Sequence, residues 1–284
     1  MTLLEVENLW VKFPTRQGTF DAVRGISFSL GRERLGIVGE SGSGKSMTGR
    51  AILRLIRKPG MVEADRIALE GRNLLDLPER DMRKVRGQDI SMVMQDPKFS
   101  LNPVMTIGEQ LIEAYQLHNK GSRAAARQTA IEMLDAVSIR DHDRVLRAYP
   151  HEMSGGMGQR IMIAMMLIPN PKILIADEPT SALDVSVQRQ ILSIIDDLVR
   201  DRGMGLIFIS HDLNLVSEFC DRVLIMYAGR IVEVCDAANL HDAKHPYTRG
   251  LLNSLPRLDA PRKYLDVLQR DDAWADAPSV DART

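Results

Sequence analysis

One stretch of the sequence limits the possible fold more than any other, and it reads Gly39-Glu40-Ser41-Gly42-Ser43-Gly44-Lys45-Ser46. It matches the phosphate-binding pattern G-x-x-x-x-G-K-[ST] at every fixed position. The apolar run Arg34–Val38 before it has the length of a buried strand, and Met47–Ile56 after it carries apolar residues at helical spacing. An incidental glycine turn beside a lysine is the competing interpretation, but the strand and the helix on either side disfavour it. We therefore predict that the chain binds a nucleoside triphosphate.

The residue types of this loop explain how it would hold phosphate. Glycines allow backbone N–H groups to curl round phosphate oxygens, and a helix N-terminus behind them adds a positive dipole end. Lys45 is expected to reach the β- and γ-phosphates, and the Ser46 hydroxyl to bind Mg²⁺. The predicted nucleotide contacts here are Gly39, Glu40, Ser41, Gly42, Ser43, Gly44, Lys45, Ser46 and Met47.

Composition restricts the class of protein. The net charge of −1 and the aromatic content of 5% disfavour a protein built mainly to hold nucleic acid. The two cysteines, Cys220 and Cys235, have no metal-ligand or redox spacing, which is typical of buried thiols in a reducing cytosol. The N-terminus lacks a signal-peptide pattern, and the longest uncharged apolar run, Ile161–Ile168, is far below the roughly 18 residues of a membrane span. We therefore expect any role at a membrane to depend on a partner.

The periodicity along the chain indicates an α/β protein with a helical insertion. Leu3–Trp10 and Ala22–Leu30 read as antiparallel strands ahead of the loop. Residues 106–147 change to helical spacing, and the strand and helix alternation returns at Lys172. A hairpin is expected around Ala228-Gly229, and the composition of residues 271–284 predicts a loose tail.

Four further polar side chains stand where predicted strands end. They are Gln95, the adjacent Asp177 and Glu178, and His211. In an open α/β sheet the carboxyl ends of the strands form the ligand-binding edge, so their common position favours one site. Asp177 suits a Mg²⁺-holding acid, and Glu178 suits a general base acting on water. Gln95 would orient that water or the ion, and His211 would hydrogen-bond the γ-phosphate.

Two other features have both a structural and a functional interpretation. Ser154, with Gly155 and Gly156, opens a predicted helix, where it acts as an N-cap or as a second anion-binding surface. Phe13 and Phe20 lie on either side of a turn, and each is either a core aromatic or a ring that stacks on a base. The residues alone leave these alternatives open.

Taken together, the motifs resemble those of the nucleotide-binding subunits of ATP-binding cassette (ABC) transporters, from about Leu3 to Arg257. The matching elements are the phosphate loop, Gln95, Ile173–Asp177 with Glu178, the loop Ser181–Asp184, His211, and Met153–Met157. The last of these departs from the usual Leu-Ser-Gly-Gly-Gln at its first and last positions. The resemblance implies ATP and Mg²⁺ as cofactors, with Mg²⁺ held by Ser46, Gln95 and Asp177. It also implies that Phe13 stacks on adenine and that Ser154, Gly155, Gly156 and Asp184 contact nucleotide.

The same resemblance implies a fold and an order of segments. The fold is a RecA-like phosphate-loop NTPase core of α/β class, with an N-terminal antiparallel β subdomain and an inserted helical subdomain. The expected segments are 1–95 for the β subdomain and the first part of the core, 96–168 for the helical subdomain, 169–235 for the rest of the core, and 236–284 for a C-terminal extension with a flexible tail.

Within this family, three stretches resemble importers of peptides and nickel: Met94–Pro103, the Ser-Gly-Gly-Met sequence at 154–157, and His245–Leu252. This implies an ATPase that powers peptide uptake, with nickel or glutathione as alternative cargo. The implied partners are a second, non-identical ATPase subunit, two membrane-spanning permeases and an extracytoplasmic solute-binding protein. The implied location is peripheral, on the cytoplasmic face of the cell membrane. A soluble cassette protein acting on DNA or ribosomes is the rival, and the sequence lacks the tandem cassettes, coiled coils and basic arms that such proteins carry.

Overall fold

In a computed structural model, the chain divides into two compact units, one of residues 1–76 and 207–284 and the other of residues 77–206. The structure describes residues 2–94, 100–181, 183–254, 271 and 273–283. These units are compact regions of the structure, whereas the four predicted segments are the subdomains that the family resemblance implies. The predicted segment boundaries therefore remain predictions.

The first unit contains an antiparallel sheet. Its strands from the N-terminal region are β1 (Leu4–Thr15), β2 (Gly18–Leu30), β4 (Met61–Glu63), β5 (Arg66–Leu69) and β6 (Arg72–Asn73). β1 pairs antiparallel with β2, β4 and β5, and Phe13 lies opposite Phe20 near the hairpin turn. Alternate residues of β1 and β2 are buried, which gives this sheet an apolar face. The prediction of antiparallel strands ahead of the phosphate loop is confirmed.

The first unit also holds the strands that carry the phosphate loop. They are β3 (Arg34–Val38), β10 (Arg222–Tyr227), β11 (Arg230–Asp236) and the end of β9 (Gly205–Ser210), in the sheet order β11-β10-β3-β9. β3 and β10 are parallel, and β10 and β11 form the hairpin predicted around Ala228-Gly229. The helices of this unit are α1 (Lys45–Ile52), α8 (Leu213–Phe219), α9 (Pro246–Asn253) and α10 (Ala273–Asp276).

The second unit is mostly helical and contains two parallel strands. Its helices are α2 (Glu79–Gln88), α3 (Ile107–His118), α4 (Arg123–Ala136), α5 (His142–Arg147), α6 (Gly155–Leu167) and α7 (Val185–Arg202). β7 (Ile90–Val93) pairs in parallel with β8 (Ile173–Asp177), and all the residues of both strands are buried. Parallel strands combined with helices confirm the predicted α/β class.

The helices of the second unit begin where side-chain caps satisfy their first amides. Thr106 and Glu109 form a reciprocal capping box at the start of α3, and Ser122 accepts a hydrogen bond from the Ala125 amide at the start of α4. α7 ends at Gly203, whose φ of 58° is the left-handed conformation typical of a helix C-terminus. Local sequence therefore fixes these helix ends.

The C-terminal segment corrects one expectation. We expected residues 271–284 to be loose, but Asp281–Ala282 form β12, which pairs in parallel with β2 and extends the antiparallel sheet. The Ala282 carbonyl accepts a hydrogen bond from Arg222 Nη1 at 2.9 Å, and Ala282 itself is only 1% exposed. The partners of this segment lie far away in sequence, so its composition alone gave no sign of them.

Candidate functional site

The phosphate loop joins β3 to α1 in the first unit. The N-cap of α1 is Gly44, with φ of 103° and no side-chain capping bond, and the first bond within the helix runs from the Thr48 amide to the Gly44 carbonyl at 2.9 Å. Amides in the first turn of a helix have no acceptor within the helix and lie at its positive dipole end. This end of α1 therefore suits an anionic ligand.

Two loop glycines are required because the loop lies against neighbouring backbone. A Cβ at Gly39 would lie 2.1 Å from the Met226 carbonyl oxygen, and a Cβ at Gly44 would lie 2.5 Å from the Ala22 carbonyl oxygen. A Cβ at Gly42 would meet nothing within 4 Å. The loop is thus supported by β10 and β2 on one side and has open space at Gly42.

The side chains of Lys45 and Ser43 make the loop suitable for binding phosphate. Lys45 is 5% exposed, and its ammonium donates to the carbonyl oxygens of Gly39 at 2.7 Å and Glu40 at 2.8 Å. The Ser43 hydroxyl is buried and has no hydrogen-bond partner within the described part of the chain. A buried hydroxyl without a partner carries a desolvation cost that a ligand oxygen would remove. A buried ammonium at the loop and an unsatisfied hydroxyl within it therefore suit an anionic ligand such as a triphosphate.

His211 and Phe13 also belong to the first unit. His211 is exposed directly after β9, and the next residue, Asp212, caps α8 by accepting the Leu215 amide at 3.1 Å. Phe13 is half-buried on β1, whereas Phe20 opposite it is 58% exposed. A base-stacking role for Phe13 stays a prediction, as does the role of His211.

In the second unit, two carboxylates follow one another at the end of β8. Asp177 is 4% exposed, and Glu178 is half-buried with φ of 48°, in the left-handed region. A glutamate in that conformation is uncommon, and backbone strain of this kind concentrates at functional sites. Glu70, outside the candidate site, has the same φ of 48°, so the backbone geometry is compatible with a chemical role for Glu178 but does not single it out.

Ser154 caps α6, as the sequence predicts. Its hydroxyl accepts a hydrogen bond from the Met157 amide at 3.4 Å, and the residue is exposed. A Cβ at Gly155 would meet nothing within 4 Å, whereas a Cβ at Gly156 would lie 2.9 Å from Val187 Cγ1. Gly156 therefore brings the start of α6 close to α7, while Gly155 leaves the helix end accessible.

Asp184 caps α7 close to this point. Its Oδ1 accepts hydrogen bonds from the Ser186 hydroxyl at 2.7 Å and from the Ser186 and Val187 amides at 3.1 and 3.0 Å. These bonds, led by that of the Ser186 hydroxyl, hold the pKa of Asp184 below its usual value. Since Gly156 contacts the first turn of α7, the structure brings Ser154, Gly155, Gly156 and Asp184 into one neighbourhood.

The second unit also has a cavity of about 300 Å³ on its helical part. Its apolar lining includes Met105, Leu117, Met165 and Met166.

Gln95, predicted to act in catalysis and in Mg²⁺ binding, lies outside the described residues.

Sequence reasoning missed two supports of the phosphate loop. The Gly229 amide, at the tip of the β10–β11 hairpin, donates to the Ser43 carbonyl at 3.0 Å. The Tyr247 hydroxyl accepts a hydrogen bond from the Glu40 amide at 3.0 Å. Tyr247 lies in the stretch His245–Leu252, which the sequence marks as distinctive, but nothing in its spacing indicates a contact with the loop.

None of the helices in the described ranges is long and apolar enough to cross a membrane. The same ranges contain no group of three or more His, Cys, Asp or Glu side chains that would hold a metal ion. Mg²⁺ does not require such a group, because it commonly binds through one or two protein ligands plus substrate phosphates and water.

Comparisons with known proteins agree with this geometry. Residues 23–181 match the family described as ABC transporter, and residues 232–278 match the family described as oligopeptide/dipeptide transporter, C-terminal region. The chain is 49% identical to the oligopeptide transport ATP-binding protein OppD of Escherichia coli K12, over 91% of this chain and 77% of that protein. It is 47% identical to OppD of Haemophilus influenzae, over 93% of this chain and 82% of that protein.

Two further comparisons concern another cargo and the fold. The glutathione import ATP-binding protein GsiA of Escherichia coli K12 is 46% identical over 99% of this chain, which spans 47% of that protein. Among solved structures, a dimeric bacterial ABC transporter cassette matches with a TM-score of 0.73 and 26% identity, over 83% of this chain and 99% of that one. A post-hydrolysis dimer of an ATP-binding cassette with ADP and phosphate matches with a TM-score of 0.72.

Proposed function

The chain belongs to the ABC transporter family of ATP-binding, ATP-hydrolysing proteins, and from this premise we propose that it energises the import of peptides. The observation that carries the proposal is the phosphate loop. Its glycines lie against Met226 and Ala22, its lysine is buried over the loop carbonyls, and one of its hydroxyls has no partner among the described residues. Each of these features suits a triphosphate.

The loop and its surroundings supply the binding contacts. Backbone amides from Gly39 to Met47 surround the β- and γ-phosphates, and the Lys45 ammonium leaves the loop carbonyls to contact them. Phe13 stacks on the adenine ring. Ser46 and Asp177 provide the hydroxyl and carboxylate oxygens that suit Mg²⁺, together with the Gln95 side chain. When bound, Mg²⁺ would offset negative charge on the phosphate oxygens.

Hydrolysis requires a base, and Glu178 is the proposed one. Its carboxylate takes a proton from the attacking water. His211 hydrogen-bonds the γ-phosphate as charge develops there, and Gln95 orients the water. The reaction is phosphoryl transfer to water, which yields ADP and phosphate.

The proposed cargo is di- and oligopeptides. Two observations support it, namely the high identity to oligopeptide transport proteins and the match of residues 232–278 to a region named for oligopeptide and dipeptide transporters. Glutathione is the second candidate, because the glutathione import protein is nearly as similar over this chain. Nickel is a third alternative, based on sequence resemblance alone.

The proposed assembly adds three kinds of partner to this chain. A second, non-identical ATPase subunit faces this one, so that Ser154, Gly155, Gly156 and Asp184 contact the nucleotide held by that partner. Two membrane-spanning permeases dock on the cytoplasmic side, against the helical part of residues 77–206, where the 300 Å³ cavity offers an apolar surface. An extracytoplasmic binding protein delivers the cargo. Nucleic acid has no role in this assembly.

The test replaces Glu178 with glutamine. Glu178→Gln should lower the hydrolysis rate by more than about a hundredfold, because it removes the base, while ATP affinity stays within about twofold. Glu218→Gln, which neutralises an exposed acid on α8, is the matched control and should hydrolyse ATP at the normal rate. A Glu178→Gln protein that keeps more than about a tenth of the normal rate would contradict the role of Glu178.

Uptake assays test the cargo. Cells that carry the chain with its permeases and binding protein should lose uptake of a labelled tripeptide of ordinary residues when Glu178→Gln is introduced. If the tripeptide is ignored and labelled glutathione is taken up instead, the glutathione alternative is correct.

A further inference from the structure

We propose that Tyr247 is a positioning residue for the phosphate loop, and the proposal rests on ATP binding at that loop. The Tyr247 side chain comes from α9, beyond the last strand of the nucleotide-binding sheet, and its hydroxyl accepts the Glu40 N–H at 3.0 Å. Tyr247 thereby links the C-terminal region to the second residue of the loop.

The bond acts on a peptide group that also holds the lysine of the phosphate loop. The Glu40 N–H and the Gly39 carbonyl belong to one planar peptide unit and point in opposite directions. Tyr247 accepts the N–H, and the Lys45 ammonium donates to the carbonyl at 2.7 Å. Since the plane is rigid, fixing the N–H also fixes the direction in which the carbonyl meets Lys45. Tyr247 therefore sets the resting position of the ammonium without touching it.

The tyrosine is itself tightly held. It is 0% exposed, and its ring packs on Tyr227 at 4.6 Å and on Trp274 at 6.2 Å between centroids. Its amide donates to His245 Nδ1 at 3.2 Å, and the Glu233 carboxylate accepts the His245 amide at 3.1 Å. A side chain fixed from several directions loses little freedom when it holds the loop.

Trp274 comes from a separate C-terminal segment that is anchored in its own right. The carbonyl of the next residue, Ala275, accepts hydrogen bonds from Arg24 Nη1 at 2.8 Å and from Arg230 Nε at 3.1 Å. Two stretches beyond β11 thus enclose the ring that reaches the loop. Through this arrangement, the C-terminal region would affect the affinity of the loop for nucleotide.

The test is Tyr247→Phe in the full-length chain, with a fluorescent ATP analogue and ATP itself as probes. The phenylalanine keeps the ring packing and removes the hydroxyl, so the Glu40 N–H loses this acceptor and the Gly39–Glu40 peptide is held less firmly. We expect the Kd for ATP and the KM of hydrolysis to rise about tenfold, the worth of one partly buried hydrogen bond, while kcat at saturating ATP changes less than about twofold.

Tyr227→Phe is the matched control. It removes a hydroxyl from the same aromatic cluster, on β10, and should change the Kd by less than about twofold. A purely structural role for Tyr247 would lower the thermal unfolding midpoint without separating KM from kcat. An unchanged or tighter Kd in Tyr247→Phe, with a folded protein, overturns the proposal.

A second measurement covers a variant that fails to fold. In the unaltered, nucleotide-free chain, the Glu40 amide should exchange its hydrogen slowly by residue-resolved NMR, because Tyr247 accepts it. Rapid exchange at Glu40 would overturn the proposal. If the unaltered chain fails to bind ATP, the proposed function is wrong. If the unaltered chain binds ATP and Tyr247→Phe has the same Kd, only the proposed role of Tyr247 is wrong.

Discussion

At the scale of single residues, the phosphate loop depends on its glycines as much as on its lysine and its hydroxyl groups. Gly44 has φ of 103°, and a Cβ there would lie 2.5 Å from a backbone oxygen. Gly42 has φ of 84° and open space where its Cβ would be. At both positions a residue with a side chain would have an unfavourable φ, but only at Gly44 would its Cβ also clash with backbone. Comparing the two positions therefore separates the cost of the φ angle from the cost of the clash.

Gly44→Ala should therefore destabilise the nucleotide-free protein more than Gly42→Ala does. Both variants incur about 1 to 2 kcal/mol for a left-handed alanine, and Gly44→Ala adds about 2 kcal/mol because the loop must move away from Ala22. Chemical denaturation, with the free energy of unfolding as readout, measures the difference. Equal losses in the two variants would mean that the loop adapts to the added methyl group without cost.

The capping carboxylate of α7 gives a pH-dependent prediction. The Ser186 hydroxyl and the Val187 amide lower the pKa of Asp184 in the folded state, so the ionised form is favoured on folding. A lowered pKa stabilises the protein above the unfolded pKa, and this contribution is lost as the pH falls through the folded pKa. The thermal unfolding midpoint of the unaltered chain should therefore exceed that of Asp184→Asn near neutral pH, and the gap should close as the solution is acidified below about pH 4.

The control for Asp184 is another acid at a helix start. Asp141 precedes α5 and makes no side-chain capping bond, so Asp141→Asn removes an equivalent charge without a cap. Thermal scans of both variants over the same pH series separate capping from net charge. A gap for Asp184→Asn that stays constant with pH would show that hydrogen-bond geometry, and not ionisation, stabilises this end of α7.

At the scale of elements, the sequence predicts best where the signals are local. The strand, glycine loop and helix at Arg34–Ile52, the Ser154 cap of α6 and the hairpin around Ala228-Gly229 all depend on neighbouring residues, and all are present. β12 and the Tyr247 contact depend on distant partners: Arg222 is 60 positions from Ala282, and Glu40 is 207 positions from Tyr247. No spacing rule carries such information. Residue type and position at a strand end suffice to propose chemical roles for four side chains: Gln95, Asp177, Glu178 and His211. The distances between these side chains cannot be predicted from the sequence.

The short strand β12 allows a direct test of the C-terminal segment. Ala282 is 1% exposed beside β2, whereas Val280, two residues earlier, is 40% exposed. Ala282→Glu would place a charge in an apolar contact and should lower the free energy of unfolding by about 2 to 4 kcal/mol, whereas Val280→Glu should change it by less than about 1 kcal/mol. Denaturant titration compares them. Matching, small effects would indicate that the strand detaches readily.

At the scale of the whole molecule, the proposed function requires a second subunit to cover the nucleotide. Ser154 is exposed at the start of α6, and Gly155 beside it leaves open space. An N-cap with an accessible helix end is a surface that suits the γ-phosphate of a nucleotide held by another subunit. The two similar solved cassettes are both dimeric, which agrees with the proposal of a second subunit.

Two N-cap serines of the same unit provide the final experiment. Ser154 accepts the Met157 amide at 3.4 Å, and Ser122 accepts the Ala125 amide at 3.2 Å, so Ser154→Ala and Ser122→Ala should each lose about 1 kcal/mol of stability. Both changes are made in a Glu178→Gln background, mixed with the partner subunit and Mg²⁺–ATP, and the mass of the complex is followed by light scattering. The Ser122→Ala chain should form the ATP-dependent dimer as readily as its parent, because α4 carries no proposed nucleotide contact. The Ser154→Ala chain should need at least about tenfold more protein to dimerise to the same extent, because it loses the proposed hydrogen bond to the γ-phosphate at the interface. If both variants dimerise alike, Ser154 is only a helix cap, and the nucleotide must be enclosed by other residues.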